Sequence, residues 1–206
     1  MRNRTENQIT LALIRHGETP SNALGRYLGR TEEDLSDTGK GKLLQNRQSG
    51  KYPKAGVVFS SPMKRCLQTA ELLYGGTNPI VVEEWREMDF GRFEGKNYRE
   101  LSGNAEYQAW IDSGGELPFP GGESRRNFLA RCRRGLGQAV KELERTESSL
   151  PASAAAVVHG GTIMALLSAF CGGDYFDYQC QNGEGYLCRL SFSGADCFLL
   201  EWIRKL

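Results

Sequence analysis

Three features are scarce in this chain of 206 residues, and each scarcity narrows what it can be. Charge of one sign is the first. Lys+Arg total 26 and Asp+Glu 25, so the net charge is +1, which gives little support for general binding to nucleic acid or to a membrane surface. Any anion must therefore be held by a local group of side chains. Long apolar runs are the second. The longest, Ile163 to Cys171, is far too short to span a bilayer. The N-terminal stretch MRNRTENQIT has no apolar run before Ile9, so no secretory leader is expected. Asn3-Arg4-Thr5 is a glycosylation sequon by spelling only. Paired cysteines are the third. Cys66, Cys132, Cys171, Cys180, Cys188 and Cys197 include no C-x-x-C pair and no zinc spacing. They read as reduced, mostly buried thiols of a cytoplasmic protein.

What is present suits one packed domain over 1–206: 39% of residues are apolar and 25% charged. Ile9 to Ile14 is nearly continuous and apolar, as a buried parallel strand is. A helix follows from Ser36-Asp37-Thr38-Gly39 to about Gln48, and Gly56 to Phe59 is a second strand. Ser61-Pro62 predicts a helix N-cap and first helical residue, with the helix stopping at Gly75-Gly76. Pro79 to Val82 is a short third strand, and 90–122 is irregular and rich in aromatics, a candidate lid insertion. Glu123 to Arg145 reads as a long helix with Phe128, Cys132, Leu136, Ala139, Val140 and Leu143 on one face. Ala154 to Val158 is a fourth strand, Thr162 to Phe170 a buried helix, and strands near Tyr186–Phe192 and Cys197–Trp202 form a terminal hairpin. Alternating strands and helices predict an α/β fold, a three-layer α/β/α sandwich with a mostly parallel sheet.

Several phosphate and metal signatures fail. No cysteine has an Arg six residues on, no D-x-D-x-T occurs, Gly39-Lys40-Gly41 lacks the spacing of a nucleotide loop, and no H-E-x-x-H exists. Histidine is limited to His16 and His159. Each stands just past a buried strand and before a glycine, in Ile14-Arg15-His16-Gly17 and Val158-His159-Gly160-Gly161. Ligands of open parallel sheets bind at the carboxyl ends of strands, so the two can meet in one crevice. Arg65 and Glu87 stand near other strand ends, and Arg15 directly precedes His16. Two arginines, two histidines and a carboxylate suit a phosphate dianion. Guanidinium forks match its oxygens, a neutral imidazole can attack phosphorus, and a carboxylic acid can protonate the departing oxygen. Taken singly, Arg65 reads equally as a solvated helix charge and Glu87 as a loop acid.

Arg15-His16-Gly17-Glu18-Thr19 resembles the signature of the histidine phosphatase superfamily, phosphoglycerate mutase-like branch. Four further places match: Asn22, the block Ser60 to Ala70 around Arg65, Glu87 with Gly91-Arg92-Phe93-Glu94-Gly95, and Val158-His159-Gly160-Gly161. The resemblance implies that His16 becomes phosphorylated and that Glu87 is the proton donor. It further implies that Arg15, Arg65, His159, Asn22 and the amide of Gly160 hold the phosphoryl group, without metal or cofactor. The family's Gly-x-x-Asp-x-Pro-Leu stretch reads here Gly29-Arg30-Thr31-Glu32-Glu33-Asp34-Leu35, a change in loop shape.

The compact lid ends in Pro118-Phe119-Pro120-Gly121-Gly122-Glu123-Ser124. A similar block occurs in members that hydrolyse phosphomonoesters, including α-ribazole-5′-phosphate phosphatases, whereas cofactor-dependent phosphoglycerate mutases are longer there. The resemblance thus implies a phosphatase of a small phosphorylated metabolite, with the mutase as alternative. A non-enzymatic phosphate or phosphoprotein binder would need neither His16 nor Glu87. Tyr98, Tyr107 and Trp110 either stack on a ring substrate or simply pack the lid. Arg125, Arg126, Arg131, Arg133 and Arg134 read as a solvated helix face rather than a nucleic-acid surface.

Overall fold

A computed structural model describes residues 7–145 and 150–206; the sequon at Asn3 lies outside them. Six strands form one sheet: β1 (Asn7–Arg15), β2 (Val57–Ser60), β3 (Ile80–Val81), β4 (Ser153–Val158), β5 (Gly185–Phe192) and β6 (Phe198–Lys205). Their order is β3-β2-β4-β1-β5-β6. The first four run parallel, and β5 and β6 add an antiparallel hairpin at one edge. β1 and β4 lie at the centre, which is why their sequences are apolar on both faces.

The helices are α1 (Pro20–Ala23), α2 (Asp37–Gln48), α3 (Lys64–Tyr74), α4 (Ala105–Asp112), α5 (Arg125–Glu144) and α6 (Gly160–Cys171). Alternate strand residues feed two cores. Leu11, Leu13, Ala154 and Ala156 pack with Phe128, Leu136 and Val140 of α5 and with Ile163 and Leu167 of α6. Ala12, Ile14 and Ala155 face the other way, onto Leu43 of α2 and Leu73 of α3. Helices therefore cover both faces, as the α/β pattern predicts. Every residue of the predicted stripe on α5 is buried, together with Gly135 and Gly137. Among the described residues, no helix is long and apolar enough to cross a membrane.

Three expectations need correction. Ser61-Pro62 does not cap a helix: α3 starts at Lys64 after Met63, which makes no side-chain cap. The Ser61 hydroxyl is instead buried against His159. The stretch 90–122 is not wholly irregular, since Asn104 caps the short helix α4 by accepting from the amide of Tyr107. The basic run of α5 is only partly a solvated face. Arg126, Arg133 and Arg134 are exposed, but Arg125 lies over the Tyr175 and Phe176 rings, and Arg131 lies over Phe128.

Candidate active site

The site forms because three parallel strands end in register. Arg15 pairs with Val158, and Ser60 with Val157. The ladder runs one residue further on both sides, His16 N–H donating to Val158 O (2.9 Å) and Ser61 N–H to Val157 O (3.0 Å). His16 and His159 thus leave adjacent strand ends together. Their rings meet edge to face with centroids 5.2 Å apart, and both are buried.

The His16 ring is held in one tautomer. Its Nδ1 lies 2.7 Å from the Gly17 carbonyl oxygen. A carbonyl can only accept, so Nδ1 carries the proton and Nε2 keeps its lone pair. The Gly17 turn is pinned in turn. Gly17 N–H donates to Thr69 Oγ1 (3.0 Å), which donates to Arg65 O (2.7 Å). A Cβ on Gly17 would come within 2.6 Å of Leu43.

Arg65 is fully buried at the start of α3. Its Nη atoms donate to Gly29 O (2.8 Å), Thr31 O (3.0 Å) and Leu28 O (3.3 Å). Glu94 holds the same loop by accepting from the amides of Gly29 and Thr31. The departure from the family pattern at 29–35 therefore sits in a loop that packs on Arg65. Arg15 donates to Cys180 O (2.7 Å). In both guanidiniums the Nε–H is buried with no partner, and such a group is costly unless something arrives to accept from it. Asn22 is the N3 residue of a capping box with Thr19. Its Oδ1 accepts from Thr19 N–H and from Asn182 Nδ2, which leaves its amide nitrogen as a donor. Gly160 opens α6, where the first amides lack intrahelical partners and the dipole favours an anion. Ser61 Oγ lies 2.7 Å from His159 Nε2.

Glu87 reaches the rim from the loop after β3. Arg131 secures that loop by donating to the carbonyls of Glu84 (2.7 Å), Arg86 (2.6 Å) and Glu87 (3.0 Å) while pairing with Glu123. Glu87 is buried, its Oε1 accepting from Met88 N–H (2.8 Å). A Cβ on Gly161 would lie 2.5 Å from that oxygen, so any side chain there would push the Glu87 carboxyl from its place. Replacing Arg131 by alanine strands Glu123 and three carbonyls. The side chains are 16% and 14% exposed; the expected loss is about 2–4 kcal/mol of stability. Urea unfolding measures it, and a loss below about 1 kcal/mol would show the anchor to be dispensable.

The electrostatics follow from burial. Desolvation, then the charges of Arg65 and Arg15, push His16 well below the ordinary imidazole value, keeping it neutral. His159 is lowered the same way, by desolvation first and Arg65 next. Burial raises Glu87 above the usual carboxylate range, against the opposing Met88 bond and arginine charges. The site thus combines two guanidinium cations, two neutral imidazoles and an acid biased toward its protonated form. Among the described residues, no group of three His, Cys, Asp or Glu side chains is placed to hold a metal ion.

Of the residues the family resemblance selects, Arg15, Glu87 and Gly160 line one cavity and Arg15 and Asn22 a second, while His16, His159 and Arg65 are buried. Sequence reading missed Asn182, which donates to His16 O (3.1 Å), Gly17 O (3.3 Å) and Asn22 Oδ1 (3.0 Å). It also missed Arg131. Neither carries a local signal: one is an Asn-Gly turn residue, the other one of five arginines on a helix. Of the three lid aromatics, Trp110 faces the cavity beside Glu87. Tyr107 packs on Phe93 and Trp110, and Tyr98 is exposed under Arg99.

An imidazole with a free nitrogen, two guanidiniums near it and an acid biased toward its protonated form are the groups that a phosphoryl transfer uses. Comparison with known proteins agrees. Residues 11–204 match the histidine phosphatase superfamily (branch 1). A metal-independent phosphoserine phosphatase of Arabidopsis thaliana is 31% identical over 79% of this chain and 69% of its own length. A 2,3-bisphosphoglycerate-dependent phosphoglycerate mutase of Rhizobium etli is 33% identical over 76% of this chain and 78% of its own. In structure, the α-ribazole phosphatase of Shigella flexneri aligns with a TM-score of 0.77 at 21% identity, covering 95% of this chain and 96% of that one. The chain belongs to the histidine phosphatase superfamily, and it is a phosphoric monoester hydrolase.

Proposed function

We propose that the chain is a metal-independent phosphomonoesterase acting on a small phosphorylated metabolite through a phosphohistidine on His16. The observation that carries this reading is the Nδ1–H bond of His16 to Gly17 O. It leaves Nε2 as an uncharged nucleophile with the charges of Arg65 and Arg15 nearby. Arg15, Arg65, His159, Asn22 and the Gly160 amide hold the phosphoryl oxygens. Nε2 forms a bond to phosphorus as the bond to the ester oxygen breaks, and Glu87 gives its proton to that oxygen. The alcohol leaves. Water then attacks the phosphohistidine, Glu87 takes the proton from the water, and the N–P bond breaks to release phosphate and restore Nε2.

The comparisons offer two named substrates of relatives, phosphoserine and α-ribazole phosphate, and the sequence reading named α-ribazole-5′-phosphate as one candidate here. The mutase alternative is tested by the primer: with the bisphosphate added, interconversion of phosphoglycerates faster than their hydrolysis would favour it. For the main reading, p-nitrophenyl phosphate hydrolysis should be insensitive to excess EDTA and inhibited by vanadate, which adopts the shape of the transferring group. Activity lost in EDTA and restored by a divalent ion would overturn the mechanism.

A further inference from the structure

Two of the openings that border the phosphate centre differ in chemistry. One is a polar cleft of about 580 Å³ running from Arg15 past Glu18, Lys42 and Asn182 to Lys205. The other is a cavity of about 280 Å³ walled by Tyr27, Phe90, Trp110, Phe119 and Tyr175. Arg15 borders both, but Glu87 lies only in the second. A general acid must lie within hydrogen-bond reach of the oxygen it protonates. The departing alcohol is therefore directed into the aromatic cavity. This step rests on the reading of Glu87 given above.

The walls then select the alcohol. Trp110 stacks on both Tyr107 (6.2 Å) and Phe119 (4.8 Å), and Tyr27 meets Phe90 at 5.1 Å, so the wall is a mutually packed aromatic cluster that can take a further ring edge to face. Beyond Arg15 and Glu87, the charged side chain on its wall is Arg125. That guanidinium is already engaged, by the Glu116 carboxylate at 2.5 Å, by Gly114 O at 2.9 Å and by the Tyr175 and Phe176 rings. A carboxylate on the substrate would have to displace Glu116. An ammonium group would meet no free anion, because Glu87 must be protonated to act. We infer that this cavity is a leaving-group subsite for phosphate esters of uncharged alcohols bearing a flat aromatic ring, and that it disfavours zwitterionic or acidic alcohols such as serine or glyceric acid.

The test uses binding as well as turnover. Calorimetry should show 3-phenylpropyl phosphonate binding at least about tenfold tighter than propyl phosphonate. In turnover, 3-phenylpropyl phosphate should exceed propyl phosphate in kcat/KM by a similar factor, and phosphoserine should fall below propyl phosphate. The two alkyl esters have similar leaving groups, so the chemical step is matched. Trp110→Ala should shrink the phenylpropyl advantage to about threefold or less, while Trp110→Phe should keep most of it. Equal binding of the two phosphonates, or a preference for phosphoserine over phenylpropyl phosphate, would overturn the subsite even if both esters are hydrolysed. Absence of turnover on every ester with the binding preference intact would instead count against the proposed phosphatase mechanism and leave the subsite standing.

Discussion

Rapid quench of the enzyme with labelled substrate should trap phosphate that is stable in alkali and labile in acid, and His16→Ala should abolish it. Turnover should fall by on the order of 10⁴-fold or more, as when other covalent nucleophiles are removed. The argument runs through the tautomer. With Nδ1 committed to the Gly17 carbonyl, Nε2 is the ring nitrogen that can form a bond, and burial together with Arg65 and Arg15 keeps it unprotonated. The same shift fixes the acid side of the pH profile. A lowered His16 gains its proton only below the ordinary imidazole value of about 6.5, so activity should persist as pH falls through that value and fail further down. Label found on Thr19 or Ser21 would make His16 a base instead of the nucleophile.

Glu87→Gln should produce a loss that depends on the leaving group. An alkoxide needs a proton as it departs, and p-nitrophenolate hardly does. General-acid help is worth about 10²–10⁴-fold, so hydrolysis of an alkyl phosphate should fall by that factor and p-nitrophenyl phosphate far less. Burial raises Glu87, so the acid keeps its proton above the usual carboxylate range. Activity on the alkyl ester should decline as pH rises through this raised value, and the variant should lose that alkaline limb. Arg65→Ala should harm both esters alike, because it removes a group that holds the common phosphoryl part. Equal losses on both esters for Glu87→Gln would make Glu87 structural and direct attention to Glu84 and Asp89.

Much of the fold was legible because burial on both faces leaves a mark. Ile9 to Ile14 reads as a buried parallel strand, and the stripe from Phe128 to Leu143 as the inner face of a helix, and both are so in the structure. Local rules failed where tertiary contacts outweighed them. Ser61-Pro62 has the spelling of a helix start, yet the Ser61 hydroxyl bonds His159 and the helix begins only at Lys64. Arg131 looks solvated by its neighbours in sequence, yet packing brings three backbone carbonyls and Glu123 to its guanidinium. The lid concealed a helix because α4 has eight residues and no buried one, so no apolar period could show.

The sequence by itself determined the parts: two histidines each placed past a strand and before a glycine, Arg15 beside the first of them, Arg65 and the acid near other strand ends, and an alternation of elements that admits a parallel sheet. It also carried their family resemblance. Only the tertiary structure decided how those parts act. Strand register set the two rings at 5.2 Å, a carbonyl chose the tautomer, and Asn182, remote in the chain, turned the Asn22 amide. The placing of Glu87 on the aromatic side of the phosphate centre was likewise a matter of packing. The physical reason is common to all four. Identity fixes which groups a chain can offer, but direction, protonation and neighbourhood come from contacts between residues far apart in sequence, and no local pattern encodes those.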